Sequence, residues 1–247
     1  MRRIQLLILA VLVLSVMLPT RIKQSFAAQL PVKNYTTNDG LPQDRIKHVV
    51  QDSRGFVWFS SAGLSRFDGH RFFNLGQKEG LPHRSINYLL ETRAGTYWVA
   101  TNGGGVARFN AVDGSRQLTV QPVSQRFTVY VCGDNAASQR VNTLFEDRAG
   151  IIWAGTDNGL FKLAPGETEF SRVVVETSFD ADRPLMVWTF AEDAEGSLWI
   201  GTNWGLLRRL PNGQIVVWRN SPASPDGNAR SVFALSFDPD GRLWIGY

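Results

Sequence analysis

The decapeptide Asp193-Ala194-Glu195-Gly196-Ser197-Leu198-Trp199-Ile200-Gly201-Thr202 decides the fold, because the chain repeats its pattern five times. Aligned on Trp58, Trp98, Trp153, Trp199 and Trp244, a glycine stands three residues earlier in every copy: Gly55, Gly95, Gly150, Gly196 and Gly241. Three residues before that come Asp52, Thr92, Asp147, Asp193 and Asp238. Twelve before each Trp come Ile46, Ile86, Val141, Val187 and Val232. The tryptophans are spaced by 40, 55, 46 and 45 residues, the period of a β-propeller blade.

Each column has a physical reading. Ile46–Gln51 and its counterparts read as a short strand, apolar at the first position and at the fourth (Val49, Leu89, Leu144, Phe190, Leu235). The Asp-x-x-Gly that follows is a tight hairpin, in which Asp caps the turn and Gly supplies the positive φ. The second strand carries the Trp. A further glycine opens a third strand, as in Gly63-Leu64-Ser65-Arg66-Phe67 and Gly159-Leu160-Phe161-Lys162-Leu163. Asp68-Gly69 and Asn212-Gly213 are two-residue turns leading into fourth strands at Phe72-Phe73 and Ile215–Trp218. Four antiparallel strands per unit at this period predict an all-β fold, a propeller of four-stranded blades, about five in number with the last one cut short. The repeated Trp, burying roughly 200 Å2 each, is expected between blades. The predicted propeller domain is 30–247, with motifs near 46–69, 86–110, 141–163, 187–210 and 232–247. Ala111–Gln139 reads as a longer outer strand and loop. Val32–Gly40 reads as the end of a blade, since Gly40-Leu41-Pro42 mirrors Gly80-Leu81-Pro82. A strand there would complete a last blade that these residues do not contain, so the chain reads as the front of a longer polypeptide.

Composition agrees with a globular domain: 43% of residues are hydrophobic and 19% charged. The formal charge of +4 is no sign of a nucleic-acid partner. Arg2, Arg3, Arg21 and Lys23 account for all of it, and residues 1–27 hold no acidic residue. That segment reads as a signal peptide. Arg2-Arg3 is followed by the apolar run Ile4–Leu18, which at 15 residues suits a secretory core better than the roughly 20 a spanning helix needs. Cleavage after Ala27 is predicted, with an uncleaved N-terminal anchor as the alternative. Cys132 is the only cysteine, which excludes an intramolecular disulfide, and its apolar surroundings suggest a buried thiol.

The order Gly40-Leu41-Pro42, Asp52-Ser53-Arg54-Gly55-Phe56-Val57-Trp58, Gly63-Leu64-Ser65-Arg66-Phe67-Asp68-Gly69 resembles the two-component regulator propeller repeat. Departures are Thr92 for Asp, Ser61 where Thr is usual, and Tyr247 at the last Thr position. The resemblance implies a periplasmic sensor domain whose parent continues into further blades, a membrane helix and a histidine kinase, hybrid kinase or diguanylate cyclase. No phospho-acceptor helix, nucleotide-binding glycine box or cyclase signature lies in these 247 residues, so no catalytic activity is expected of the chain itself.

Candidate sites follow from variation among copies. Columns identical in all blades serve architecture. The loops entering the first strand and joining the second and third share one face of a propeller, and there the copies differ. Arg45, Arg84, Asn102, Asp157, Asn203 and Trp204 are the ligand-binding candidates. Trp204 beside Asn203 offers an aromatic platform with a polar neighbour, suited to a carbohydrate or peptide ligand. His48, His70 and His83 stand in different contexts, so no metal site is predicted, and no cofactor. Asp238-Pro239-Asp240-Gly241 lacks the further ligands of a calcium loop, and Gly103-Gly104-Gly105 lacks the Gly-Lys-Ser/Thr of a phosphate loop. The alternatives to sensing are a streptogramin-lyase-type enzyme, whose chemistry needs clustered His and Glu with a divalent ion, and a stand-alone exported docking scaffold.

Overall fold

The computed structural model describes residues 32–110, 126–176, 184–218 and 230–247. The leader of residues 1–27 lies outside them, as do residues 111–125 of the expected long outer segment. Tyr35–Tyr247 form a compact unit. Its first sheet comprises β1 (His48–Gln51), β2 (Val57–Ser61), β3 (Gly63–Phe67) and β4 (Phe72–Leu75). The second comprises β5 (Ile86–Glu91), β6 (Tyr97–Thr101), β7 (Val106–Phe109) and β8 (Phe127–Tyr130). The third holds β9 (Val141–Glu146), β10 (Ile152–Thr156), β11 (Gly159–Leu163) and β12 (Ser171–Val173). The fourth holds β13 (Val187–Glu192), β14 (Leu198–Thr202), β15 (Gly205–Arg209) and β16 (Ile215–Val217). A two-stranded fifth sheet, β17 (Ala234–Phe237) with β18 (Leu243–Gly246), follows. Every pairing is antiparallel between consecutive strands. β5 packs beside β9, β9 beside β13 and β13 beside β17, so first strands line up side by side as in a β-propeller.

The Asp-x-x-Gly turn closes each first hairpin, and its aspartate does more than cap. In the fourth blade Asp193 Oδ1 accepts the Ser197 amide at 2.7 Å, while Oδ2 accepts the Trp199 indole N–H at 2.8 Å. Asp52 and Asp147 hold Trp58 and Trp153 the same way, each at 2.8 Å, and Asp238 holds Trp244 at 3.1 Å. The carboxylate thus fixes both the turn and the rotamer of the packing residue six positions on. Burial pushes the Asp193 carboxyl up, but Trp199, the Ser197 amide and Arg208 outweigh it and hold it below the ordinary carboxylate range. Asp52 behaves alike: burial raises it, and Trp58, Tyr97 and the Phe56 and Arg54 amides bring it down.

The tryptophans sit between blades, as expected. Trp58 packs in a cluster with Leu89, Tyr97 and Val99 of the second blade, Trp98 with Leu144, Ile152 and Phe161 of the third, and Trp153 with Val187, Phe190 and Ile200 of the fourth. Trp153 is 0% exposed, whereas Trp244 of the fifth sheet is 64% exposed. The apolar column that opens each unit inserts beneath the neighbouring blade. Ile86, Val141, Val187 and Val232 are fully buried. Val187 and Val232 meet the glycine two positions after the preceding Trp. A Cβ on Gly201 would stand 2.8 Å from the Val232 carbonyl oxygen and 2.5 Å from Thr189 Cγ2; one on Gly155 would stand 2.7 Å from Val187 Cγ1. Close packing against the next blade and against Thr143 and Thr189 of the same blades, and not backbone conformation, requires glycine there.

A second tie crosses each of the first three junctions. Glu91 accepts the Ser53 amide and hydroxyl, each at 2.7 Å. Glu146 accepts the Arg93 amide at 2.7 Å, and Glu192 the Arg148 amide at 3.0 Å. Each glutamate ends the first strand of one blade and grips the Asp-x-x-Gly turn (Thr92-x-x-Gly in the second blade) of the blade before it.

One expectation is corrected. Val32–Gly40 contains no strand: Thr37–Asp39 form a single 3-10 turn, capped reciprocally by Thr36 and Asp39 and closed by Gly40 at φ 108°. The local capping of Thr36 and Asp39 takes the backbone groups that a sheet would need. The mirrored stretch Gln77–Glu79 ends the same way at Gly80, φ 103°. Gly40-Leu41-Pro42 and Gly80-Leu81-Pro82 are therefore entry turns that bury Leu41 and Leu81.

Replacing Asp193 with Asn should lower unfolding stability by about 1–3 kcal/mol, since the amide nitrogen would face a donor. The same change at Asp238, whose Trp244 is exposed, should cost clearly less. The lowered folded-state pKa means that the stabilisation from Asp193 is present above the unfolded value of about 3.9 and is lost as pH falls through the lower folded value. Urea titrations from pH 6 downward should show the wild type converging on Asp193→Asn in acid. A gap that stays constant with pH would contradict this role.

Candidate functional site

The threonine that ends the second strand in the second, third and fourth blades builds the loop predicted to carry recognition. Thr202 Oγ1 donates to the Gly205 carbonyl at 2.8 Å and accepts the Trp204 amide at 3.0 Å. Thr156 and Thr101 make the equivalent pairs of bonds. Ser61 of the first blade, whose loop is a residue shorter, is buried without a hydrogen-bond partner. The residue after the threonine then ties this loop to the one entering the first strand. Asn102 N donates to Ser85 O, Asp157 N to Arg140 O and Asn203 N to Met186 O, at 3.0–3.1 Å. The two variable loops of each blade therefore lie together at one end of the strands.

The six candidates occupy this end, but in different states. Arg45 and Arg84 are exposed. Asn102 is exposed and forms a backbone bridge to Arg140. Asp157 is half-buried, accepting Asn142 Nδ2 at 3.0 Å and facing Arg140 Nη1 at 3.7 Å. Asn203 is bound on both sides of its amide: Oδ1 accepts the Met186 amide at 2.8 Å, and Nδ2 donates to the Pro184 carbonyl at 3.0 Å. Trp204 is half-buried against the Leu185–Val187 cluster and presents part of its ring to solvent. The structure thus brings Asn203 and Trp204 together with Pro184–Met186, while the remaining candidates stay with their own blades.

Sequence reasoning missed the polar residues one step into each first strand. Lys47 Nζ reaches Ser85 Oγ and Asn87 Oδ1, each at 2.7 Å. Asn87 Nδ2 donates to Val141 O at 2.8 Å, and Asn142 Nδ2 to Val187 O at 3.2 Å. They join blade to blade along the innermost strands. Their signal was visible as a polar second position in the first three copies, replaced by Trp188 and Phe233 in the last two, whose rings lie 5.8 Å apart.

The histidines are separate. His48 stacks on Tyr88 at 4.0 Å, His83 Nδ1 accepts the Ser85 amide at 3.0 Å, and His70 is exposed beside the Asp68-Gly69 turn. Among the described residues no three His, Cys, Asp or Glu side chains converge as metal ligands. Cys132 is buried, and burial pushes its thiol up to about 12, which keeps it protonated at neutral pH.

Comparison with known proteins places these motifs. The two-component regulator propeller repeat matches residues 80–103, 135–158, 183–204 and 226–247. No curated protein matches the chain by sequence. Among solved structures, the chain is similar to the extracellular domain assigned to the hybrid two component system BT3049 of B. thetaiotaomicron, with a TM-score of 0.66 and 21% identity over 87% of this chain and 29% of that one. It is similar to PorZ, a surface component of the type-IX secretion system of Porphyromonas gingivalis, with a TM-score of 0.61 and 18% identity over 87% of this chain and 32% of that one. It also resembles virginiamycin B lyase from Staphylococcus aureus, with a TM-score of 0.60 and 13% identity over 83% of this chain and 64% of that one. The chain spans less than a third of the length of the first two. These likenesses share the propeller fold, across a signalling, a secretion and a lyase protein.

Because Asn203 spans the Pro184 carbonyl and the Met186 amide, Asn203→Ala should loosen the entry loop of the fourth blade without unfolding it. Hydrogen exchange at Met186 should accelerate by about tenfold or more, the loss of one bond of roughly 1.4 kcal/mol. Unchanged protection there would show that the side chain does not hold the loop.

Proposed function

We propose that this chain, built of two-component regulator propeller repeats, is the sensing module of an exported signalling protein and binds its ligand on the variable loop end around Trp204. The observation that carries the reading is the four-fold match to that repeat, three of whose matches end in the loop that varies from blade to blade. The extracellular placement of the BT3049 domain supports an exported position, which the apolar leader Ile4–Leu18 would direct. In the parent protein, ligand occupancy would act by changing the geometry of membrane-linked output domains, a histidine kinase or diguanylate cyclase, joined through further blades.

The chemistry proposed for the ligand is a carbohydrate or a peptide. A half-buried indole whose neighbour's amide is already committed gives a rigid apolar face with little conformational entropy to lose. The exposed guanidinium groups of Arg45 and Arg84 would add charge-assisted contacts at other points of the same end. The chain is not proposed to catalyse a reaction. The lyase reading would require His and acidic groups to meet at a cation, whereas His48, His70 and His83 stand in a strand, a turn and an entry loop.

Two measurements test the reading. Fused ahead of alkaline phosphatase in a Gram-negative host, residues 1–247 should give periplasmic activity, and a cytoplasmic fusion would sink the export claim. Screened against glycan and peptide arrays, the purified chain should bind a restricted set. Trp204→Ala should then weaken binding about ten- to a hundredfold with its thermal transition retained, as expected for a central aromatic contact. Incubation of the chain with a streptogramin B and Mg2+ should leave the antibiotic intact; ring opening would favour the lyase.

A further inference from the structure

The second blade breaks the rule of the other four. Where they carry aspartate, it carries Thr92, whose hydroxyl is occupied within its own turn: Oγ1 accepts the Thr96 amide at 3.0 Å and donates to the Thr96 carbonyl at 3.2 Å. Trp98 is only 6% exposed. Yet among the described residues its indole N–H has no hydrogen-bond acceptor, whereas the other four repeat tryptophans each have a carboxylate. Arg108 stands directly across the hairpin from Trp98. Its counterpart in the fourth blade, Arg208, donates to Asp193 Oδ2 at 2.8 Å. Among the described residues Arg108 has no such oxygen; its guanidinium lies 5.9 Å from the Trp98 ring and 5.8 Å from the Tyr130 ring. A cavity of about 210 Å3 opens at this point, lined by Thr92, Trp98, Arg108 and Tyr130 of one blade and by the Gly150 turn and Ala164–Glu167 loop of the next.

We propose that this cavity is a carboxylate-binding site, in which a small monocarboxylate of the acetate class takes the place that an aspartate side chain takes in the other four copies. The indole N–H and the guanidinium are the two side-chain donors that hold Asp193 Oδ2 in the fourth blade, and here both residues line a volume to which the described residues supply no acceptor for them. The acidic groups on the wall are already engaged: Glu146 takes the Arg93 amide and guanidinium, and Glu167 takes the Ala164 amide at 2.9 Å. Among the described residues Arg108 then has no paired carboxylate, and the acidic wall disfavours ligands carrying more than one negative charge. A pocket of this size admits a small acid and several waters, at roughly 30 Å3 per water. The site lies at the Asp-x-x-Gly end of the strands, a strand length of about 16 Å from the loops around Trp204, so it does not depend on the sensing reading.

The test is thermal unfolding of the whole chain in sodium acetate against sodium chloride at equal pH and ionic strength. Acetate at ten times its dissociation constant should raise Tm by roughly 3–6 °C. Thr92→Asp supplies the missing carboxylate from the chain itself. It should raise Tm in chloride by a similar amount and abolish the acetate response, and Arg108→Gln should abolish that response as well. Equal Tm in acetate and chloride would mean the cavity holds water alone and would overturn the proposal. So would a Thr92→Asp variant that is less stable than the parent or still responds to acetate. Stabilisation by a triglycine carboxylate without any by acetate would assign the site to a chain terminus and overturn the small-acid ligand.

Discussion

A single buried carboxylate organises the first, third and fourth blades. One oxygen of the aspartate closes the first hairpin through turn amides, and the other orients an indole that belongs to the interface with the next blade. Turn geometry and inter-blade packing are thereby coupled through one side chain. An ionised carboxylate inside protein is costly unless its oxygens are filled. Here Asp52 receives two backbone amides, the Trp58 indole and the Tyr97 hydroxyl of the neighbouring blade, enough to hold it charged.

The junctions add complementarity at two radii. Toward the inner strands, a β-branched residue of one blade enters the space left by a small residue of the last, with Val187 against Gly155 as the tightest case. Toward the turn end, Glu91, Glu146 and Glu192 grip the preceding turn by its amide. Apolar fit gives most of the energy and the glutamates fix register, since a blade shifted by one residue would lose both contacts at once. At the corresponding place in the fifth sheet stands Phe237, and Trp244 there keeps its aspartate but not its burial. The hydrogen bond within the turn therefore forms independently of the packing it serves elsewhere.

The repeat made the fold legible. Five tryptophans at blade spacing, the Asp-x-x-Gly turn and the glycine opening each third strand were enough to place nearly every sheet strand. What escaped was side-chain traffic between blades. Nothing local to Glu91 says that it bonds Ser53, because the partners are 38 residues apart and meet only when two sheets stack. The expected N-terminal strand failed for the opposite reason: Thr36 and Asp39 satisfy one another within four residues, a local solution that the similarity to Gly80-Leu81-Pro82 already hinted at. The candidate site was readable as an end of the molecule, since loop pairing follows from blade topology. The distribution of roles was not. Asn203 looked like a polar ligand contact, and its amide is spent on Pro184 and Met186.

A repeat protein supplies its own controls, and its exceptions carry more information than its consensus. Ser61 and Thr92 both replace the usual residue, yet they differ in consequence. Ser61 leaves its own hydroxyl unpaired within a shortened loop, a defect confined to one side chain. Thr92 satisfies itself and leaves two other groups, the Trp98 indole and the Arg108 guanidinium, facing open volume. A substitution that only weakened the blade would be expected to shrink its surroundings around the smaller side chain, because close-packed interiors collapse where they can. Here Trp98 stays packed on the third blade, held by Leu144, Ile152 and Phe161, so the framework of the missing carboxylate persists without it. Rigid support on every side of an absent acceptor is the geometry of a binding site, with donors already positioned before any ligand arrives.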